Sequence, residues 1–159
     1  MKKALENRGY DNLDITILEE LQMNGRISVA DLARKIHLSQ PAVHHRIKRL
    51  ERDGIIQHYV ALLDREAIGY DLLCFVNLSL NPHSQEVSCA VEKTVNAMPQ
   101  VLECYNITGR SDMLLKIVVE NHRELNAFVK KLSTLAGIDR IETSVVLNHV
   151  KTTTELALE

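Results

Sequence analysis

Six basic side chains lie within nineteen consecutive positions of the N-terminal third of the chain, with Glu51 as the one acidic residue in that stretch. They are Arg34, Lys35, Arg46, Lys48, Arg49 and Arg52. Gln40, His44 and His45 lie in the same stretch. Lysine and arginine neutralise phosphates, and glutamine, lysine and arginine can hydrogen-bond the edges of adenine or guanine. The stretch therefore predicts binding to double-stranded DNA.

The charge of the whole chain favours a defined DNA site over indiscriminate binding. The formal net charge is −2, so the protein is not one of the uniformly basic proteins that cover nucleic acid without sequence choice. A focused basic surface on a nearly neutral protein suits specific DNA recognition better.

Helical periodicity predicts three short helices that would position these side chains. The first is expected over residues 12–23. The second starts at Ser28, and the third follows Ser39, with Pro41 in its first turn, where the missing N–H costs nothing. A short second helix, a tight turn and a third helix form a helix-turn-helix, here over residues 28–53.

The predicted third helix has two faces. Val43, Ile47 and Leu50 recur at helical spacing and are expected to face the core. The N-terminal turns of such a helix usually contact base edges in the major groove. The residues assigned to base edges are Gln40, Ala42, His44 and His45. Those assigned to phosphates are Arg46, Lys48, Arg49 and Arg52, with a structural ion pair as the alternative for Arg46, and Ser28 and Ser39 can offer helix N-terminal amides to phosphate.

Two other interpretations of this segment stay open on these residues alone. A small three-helix core can carry a solvated basic face without binding DNA. His44 and His45 could suggest a metal site, but adjacent helical residues point about 100° apart and do not easily share one ion. We therefore predict no metal site.

The rest of the chain predicts a second domain of α+β class. Residues 55–63 are expected to form a linking strand that completes a first domain over residues 1–63, and residues 64–71 to form a linker. Residues 72–159 then follow the order β-α-β-β-α-β, with a last strand over 138–150. This order is typical of a ferredoxin-like fold.

Composition excludes several classes of protein. No apolar run is long enough to span a bilayer, and the N-terminus lacks the apolar core of a secretory signal, so we expect a cytoplasmic protein. Cys74, Cys89 and Cys104 lie among apolar neighbours and are expected to be buried free thiols. The seven histidines are scattered, without the spacing of a known catalytic or metal motif, so we predict neither an enzyme nor a cofactor.

Several linked stretches resemble the Lrp/AsnC (feast/famine) family of bacterial and archaeal regulators over nearly the whole length. They are Leu13-Asp14 with Ile17-Leu18, residues 21–28, Asp31-Leu32-Ala33, Leu38-Ser39, residues 43–56, Tyr59, residues 62–64, Ile68-Gly69, residues 109–115 and residues 150–153. The resemblance implies a winged or plain helix-turn-helix joined by a strand to an effector-binding and oligomerisation domain of the RAM type. It also implies homodimers that gather into higher oligomers, commonly octamers, with an amino acid or related metabolite bound between dimers.

The same resemblance implies an effector site in the second domain. Gly109 and Asp112 match the family's Gly-x-x-Asp turn, where the carboxylate could bond an ammonium and the glycine lets a ligand approach the backbone. Asn106, His122 and Ser144 are expected at neighbouring positions. As an alternative, Asp112 caps the turn that begins the strand.

The expected function is therefore a sequence-specific transcriptional regulator, associated with the nucleoid and modulated by a small metabolite. One rival is a nucleoid-organising protein that binds DNA with little sequence choice and no effector. Another is a sensing subunit whose helix-turn-helix has lost its function, which the intact basic face argues against.

Overall fold

The computed structural model describes residues 2–158, with side chains from residue 5 onward. The chain forms two compact units. The first comprises the residues up to Leu62 together with those from Lys151 onward, and the second runs from Leu63 to Val150. We predicted that the second domain continues to residue 159. In the structure the residues from Lys151 onward group with the first unit instead.

Four helices lie among the described residues of the first unit. They are α1 (Lys2–Asn7), α2 (Asn12–Met23), α3 (Val29–Lys35) and α4 (Gln40–Arg52). The three predicted helices are confirmed, and the short α1 was not predicted. Asp11, Ser28 and Ser39 cap α2, α3 and α4, and each side chain accepts a hydrogen bond from a first-turn amide. These local signals explain why the helix starts were readable.

The core of the first unit lies between α2, α3 and α4. Ile17, Leu32, Val43 and Leu50 are fully buried there. The chain passes from α3 to α4 through His37, whose φ is 56°, so the connection is the tight turn that was predicted. Helix α4 buries the predicted residues Val43, Ile47 and Leu50. Its opposite face therefore points toward the surface.

Residues 55–63 do not form the predicted strand. They pair with no other segment in the described residues 2–158, and Val60, Leu62 and Leu63 are 74%, 73% and 70% exposed. A strand needs a partner to hydrogen-bond its backbone, and the described part of this chain offers none to the segment. The segment is rich in apolar residues, but the strand predicted from it is absent from the described residues.

The second unit follows the predicted order of elements. Its elements are β1 (Leu72–Leu80), α5 (Gln85–Asn96), β2 (Val101–Asn106), β3 (Met113–Val119), α6 (His122–Ser133) and β4 (Ile138–Val145). The strands form one antiparallel sheet in the order β2-β3-β1-β4. This is the ferredoxin-like arrangement, so the predicted fold class is confirmed.

Helices α5 and α6 cover one face of the sheet. Val91 and Val95 of α5 and Phe128 and Leu132 of α6 share a core with alternate residues of β1 and β3, such as Val76. Strand β4 ends earlier than we predicted, at Val145 rather than residue 150. Its backbone pairing with β1 stops shortly after that residue, which explains the difference.

The cysteines are only partly as expected. Cys74 is buried and Cys104 is half-buried, and burial raises the pKa of both thiols, which makes them less reactive. Cys89 is exposed on α5, so its predicted burial is wrong. The apolar neighbours of Cys89 in sequence do not share its face of the helix.

Candidate nucleic-acid interface and effector pocket

Helix α4 presents most of the predicted base-edge residues to the surface. Gln40, His44 and His45 are exposed, and Ala42 is half-buried, while Val43 on the opposite face is fully buried. The amphipathic pattern explains this division, because the buried face docks α4 on the core and fixes the direction of the other face. The outward side chains are the ones that can donate to or accept from base edges.

The predicted phosphate contacts separate into two groups. Lys48 and Arg52 are the open ones, with side chains 62% and 69% exposed. Each makes a surface ion pair, Lys48 with Glu51 at 2.8 Å and Arg52 with Asp53 at 3.0 Å. Exposed pairs of this kind contribute little to stability, so a DNA phosphate can compete for these cations.

Arg46 forms the structural ion pair that was its alternative assignment. Its Nη1 donates to Asp11 Oδ1 and to Asp14 Oδ1, both at 2.8 Å, and its Nη2 donates to Asp11 Oδ2 at 2.8 Å. The Asp14 side chain is only 1% exposed. The hydrogen bonds from Arg46 hold the pKa of Asp11 below its usual range. Arg46 therefore holds α4 against the N-terminus of α2, as its alternative assignment predicted.

Arg49 is also held by the protein. Its guanidinium stacks 4.4 Å from the centre of the Tyr10 ring and donates from Nη2 to the Gly9 carbonyl at 2.5 Å. The Tyr10 hydroxyl donates to Asp53 Oδ2 at 2.8 Å, and burial is the main cause that raises the pKa of Tyr10. The protein contacts of Arg49 leave its side chain 30% exposed, and its assignment to a phosphate stays a prediction. Tyr10 was missed, although an apolar residue directly before a helix N-cap is a known packing signal.

Ser28 and Ser39 stand at the exposed starts of α3 and α4. The Ser28 hydroxyl accepts from the Asp31 amide at 3.0 Å, and the Ser39 hydroxyl accepts from the Ala42 amide at 3.4 Å. The hydroxyls serve as caps, and the neighbouring first-turn amides of each helix point outward. Amides at such a position can bind a phosphate.

The second unit contains a surface pocket of about 510 Å³. Its lining residues are Leu80, His83, Ser84, Gln85, Ser88, Cys89, Glu92, Asn106 and Asp112. Two of the predicted effector residues, Asn106 and Asp112, meet there. Gly109 lies in the turn between them, with φ of 127°. The other two predicted effector residues, His122 and Ser144, do not line this pocket. His122 is the first residue of α6, and Ser144 lies on β4, where it pairs with Phe75 of β1.

Asp112 bonds neighbouring elements and also lines the pocket, while its role toward an effector stays a prediction. Its Oδ2 accepts from the Leu80 amide at 2.8 Å and its Oδ1 lies 3.1 Å from His83 Nδ1. Its backbone carbonyl accepts from the Ile107 amide at 2.9 Å. The backbone bond closes the turn, and the side-chain contacts connect Asp112 to the end of β1 and to His83 at the edge of the pocket.

Sequence reasoning missed the wall of the pocket that α5 provides. Ser84, Ser88 and Glu92 recur every four residues and so share one face of that helix. Glu92 Oε1 accepts from Asn106 Nδ2 at 2.8 Å and from Ser88 Oγ at 3.3 Å. The four-residue spacing of these polar residues could be seen in the sequence. Only the structure shows that they lie beside Asn106 and line the pocket.

Comparison with known proteins matches each unit to a described family. Residues 10–57 match a winged helix-turn-helix DNA-binding family. Residues 73–156 match the Lrp/AsnC ligand binding domain. The chain belongs to the Lrp/AsnC family. This Lrp/AsnC regulator is a DNA-binding transcriptional regulator with a ligand-binding domain, and it is not an enzyme.

Relatives align with the regulator over almost its full length. It is 33% identical to the HTH-type transcriptional regulator FL11 of Pyrococcus furiosus, over 94% of this chain and 97% of that protein. It is 36% identical to the leucine-responsive regulatory protein of Haemophilus influenzae, over 96% of this chain and 93% of that protein.

Solved structures also match the regulator. A transcriptional regulator from Neisseria meningitidis, solved as an L-Met complex, matches with a TM-score of 0.90 at 33% identity, over 94% of this chain and 97% of that one. An AsnC family regulator from Agrobacterium tumefaciens matches with a TM-score of 0.88 at 35% identity, over 94% and 97% of the two chains. Among the described residues of the regulator, no helix is both long and apolar enough to cross a membrane.

Proposed function

We propose that this regulator recognises specific operators in double-stranded DNA through the exposed face of α4, and that a small metabolite bound by its second unit modulates that recognition. The supporting observation is the docking of α4. Its apolar face is buried to completion at Val43 and Leu50, while Gln40, His44 and His45 stay open. A helix held in this way presents a fixed row of hydrogen-bonding groups to the major groove.

The contacts to DNA divide by their chemistry. Gln40, with Ala42, His44 and His45, is assigned to base edges, where glutamine can pair with adenine N6 and N7. Lys48 and Arg52 are assigned to phosphates, together with the first-turn amides near Ser28 and Ser39. Base contacts give sequence choice, and phosphate contacts give affinity that depends on salt.

We expect Lys48→Ala and Gln40→Ala to have different effects on DNA binding. Without Lys48, affinity should fall for all sequences, and the slope of log K against log salt should decrease by about 1. Without Gln40, discrimination at one base pair should fall by about 1–3 kcal/mol. Competition binding over a randomised DNA library at several salt concentrations measures both quantities.

Lys130→Ala is the matched control, because Lys130 is also exposed but lies on α6 of the second unit. It should leave both quantities unchanged. Equal effects of the Lys130 and Lys48 substitutions would contradict the assignment of α4. A wild-type specificity ratio near one would instead favour the nucleoid-organising alternative.

The pocket of the second unit suits an amino acid as the effector. Asp112 and Glu92 can accept from an ammonium group, and no lysine or arginine is among the described residues that line the pocket. The first-turn amides of α5, after Ser84, favour a carboxylate. The related Neisseria meningitidis regulator was solved with L-Met, which supports the same ligand class here.

We expect Asp112→Asn to abolish the response to the effector without unfolding the second unit. An asparagine oxygen can still accept from the Leu80 amide, but the charge that attracts an ammonium is gone. Thermal-shift screening of the wild type against the twenty amino acids finds the ligand, because binding at 100 times Kd stabilises a protein by about 2.7 kcal/mol. The same ligand should then produce no shift in the variant.

His122→Ala and Ser144→Ala are informative comparison variants, because neither residue lines the pocket. If the ligand occupies the pocket alone, both variants should respond like the wild type. If they lose the response as Asp112→Asn does, the ligand lies at a wider site shared between subunits. A wild type that responds to none of the twenty amino acids would contradict the proposed ligand class.

We also propose that the regulator acts as a homodimer that assembles further, as an octamer. Residues 59–63 carry the apolar side chains of Tyr59, Val60, Leu62 and Leu63, all at least 49% exposed. The same segment of a second copy can pair with this one about a twofold axis and place two α4 helices in successive major grooves. A monomer in sedimentation at micromolar concentration would contradict this proposal.

A further inference from the structure

The core of the DNA-binding unit contains a side chain from the opposite end of the chain. Of the eleven described residues that form this buried cluster, ten lie between Tyr10 and Leu50. The eleventh is Leu158, which is only 9% exposed. The C-terminal segment, residues 151–158, therefore contributes to the core on which α4 is docked.

A pair of hydrogen bonds fastens the same segment to α2. Gln22 Nε2 donates to the Leu156 carbonyl at 3.1 Å, and the Leu156 amide donates to Gln22 Oε1 at 2.7 Å. One side chain thus satisfies both backbone groups of a single residue, as a neighbouring strand would. The Leu156 side chain, in contrast, is 67% exposed. Leu158 thus anchors the segment through its side chain, and Leu156 anchors it through its peptide unit.

This attachment was not visible in sequence patterns. The ligand-binding family match runs to residue 156 and so includes most of the C-terminal segment in the second domain. In the structure the segment leaves the second unit at Val150 and belongs to the first. The first unit, which is the DNA-binding unit, is therefore incomplete without residues that follow the second unit, the sensing unit, in the chain.

We propose that the C-terminal segment is a positioning element for DNA binding, which holds α2, and through the shared core α4, in the arrangement that reads DNA. Helices α2 and α4 contact each other directly, and Arg46 of α4 is bonded to the first turn of α2. A loosened α2 therefore changes the direction of α4. Because the segment directly follows the sensing unit, that unit has a second covalent connection to the DNA-binding unit besides residues 63–71.

The test compares two leucines two positions apart. Leu158→Ala removes the buried anchor, and Leu156→Ala removes an exposed side chain while keeping the two backbone hydrogen bonds to Gln22. If Leu158→Ala lowers the population of the DNA-competent arrangement to about a tenth, the apparent Kd for DNA should rise about tenfold. Leu156→Ala should bind like the wild type. Fluorescence anisotropy with a selected operator at 20 °C measures the affinities.

Hydrogen exchange on the full chain locates the effect. With Leu158→Ala, amides of α2 and α4 should exchange faster, while those of β1 and β3 should keep wild-type protection. Leu158→Met should restore both affinity and protection, because it refills the site, and Gln22→Leu should reproduce part of the defect without any change in the buried anchor.

Two results would overturn the proposal. One is a Leu158→Ala variant with wild-type affinity and wild-type exchange in α2. The other is an affinity loss that comes with a smaller mass in sedimentation and unchanged exchange in α2, which would assign the segment to assembly instead. If Leu158→Ala fails to fold, the Gln22→Leu variant gives the same readouts, with Leu158→Met as the control that should match the wild type.

Discussion

Replacing Arg46 by methionine should destabilise the DNA-binding unit by about 3 kcal/mol, because removing one partner of a buried ion pair leaves the other charge uncompensated. The remaining charge is Asp14, whose side chain is 1% exposed and loses its guanidinium partner. A change of this size lowers the melting temperature of a unit of this length by more than about 10 °C. Calorimetry and the loss of operator binding near the new midpoint measure the effect.

Arg52→Met is the matched control for that prediction. Arg52 lies on the same helix, but its side chain is 69% exposed and it pairs only at the surface with Asp53. Its loss should cost less than about 0.5 kcal/mol. Arg46→Lys should fall between the two, since lysine keeps the charge but cannot bridge Asp11 and Asp14 with a planar fork. Equal melting temperatures for the methionine variants of Arg46 and Arg52 would contradict a structural role for Arg46.

The ion pair also predicts how stability depends on pH. The pKa of Asp11 is lowered in the folded protein, first by its hydrogen bonds from Arg46. A carboxyl with a lowered folded pKa contributes stability that is present above its ordinary pKa, about 4, and is lost as the pH falls through the lowered value. The difference in melting temperature between the wild type and Arg46→Met should therefore shrink below about pH 4.

Local signals account for what the sequence predicted well. Asp11, Ser28 and Ser39 mark helix starts with side chains that bond amides three residues on, and such caps depend on adjacent residues only. The alternation in β1 and the apolar face of α4 are equally local, since each follows from the period of one element. The order of elements and the exposed face of α4 were therefore readable.

Partners that lie far apart in the chain account for what was missed. Arg49 looked equivalent to Lys48, but Tyr10 holds it, and for Arg46 the ion pair was foreseen but not its partner Asp14. Neither partner is close in sequence. The predicted strand over residues 55–63 is absent for the same reason, because an apolar composition indicates a strand but cannot supply the segment that pairs with it. The attachment of Leu158 to a core formed by the first fifty residues has no local signature at all.

Replacing Gly137 by alanine should destabilise the second unit by about 3 kcal/mol, from two causes that can be separated. Gly137 has φ of 92°, where a residue with Cβ costs about 1–2 kcal/mol. An added Cβ would also overlap the Val87 side chain of α5, and overpacking costs about 1–3 kcal/mol. Gly69→Ala isolates the first cause, because φ there is 94° and nothing lies within 4 Å of the added atom.

The consequence for function follows from the position of Val87. Val87 lies one turn from Ser84 and directly before Ser88, which both line the pocket, so a displaced α5 also displaces the pocket wall. Gly137→Ala should therefore weaken the effector response more than Gly69→Ala does. Adding Val87→Ala to Gly137→Ala should recover part of the stability, since it removes the overlapping atoms, and should restore the response. A double variant no more stable than Gly137→Ala alone would show that backbone strain, not the contact with α5, causes the loss.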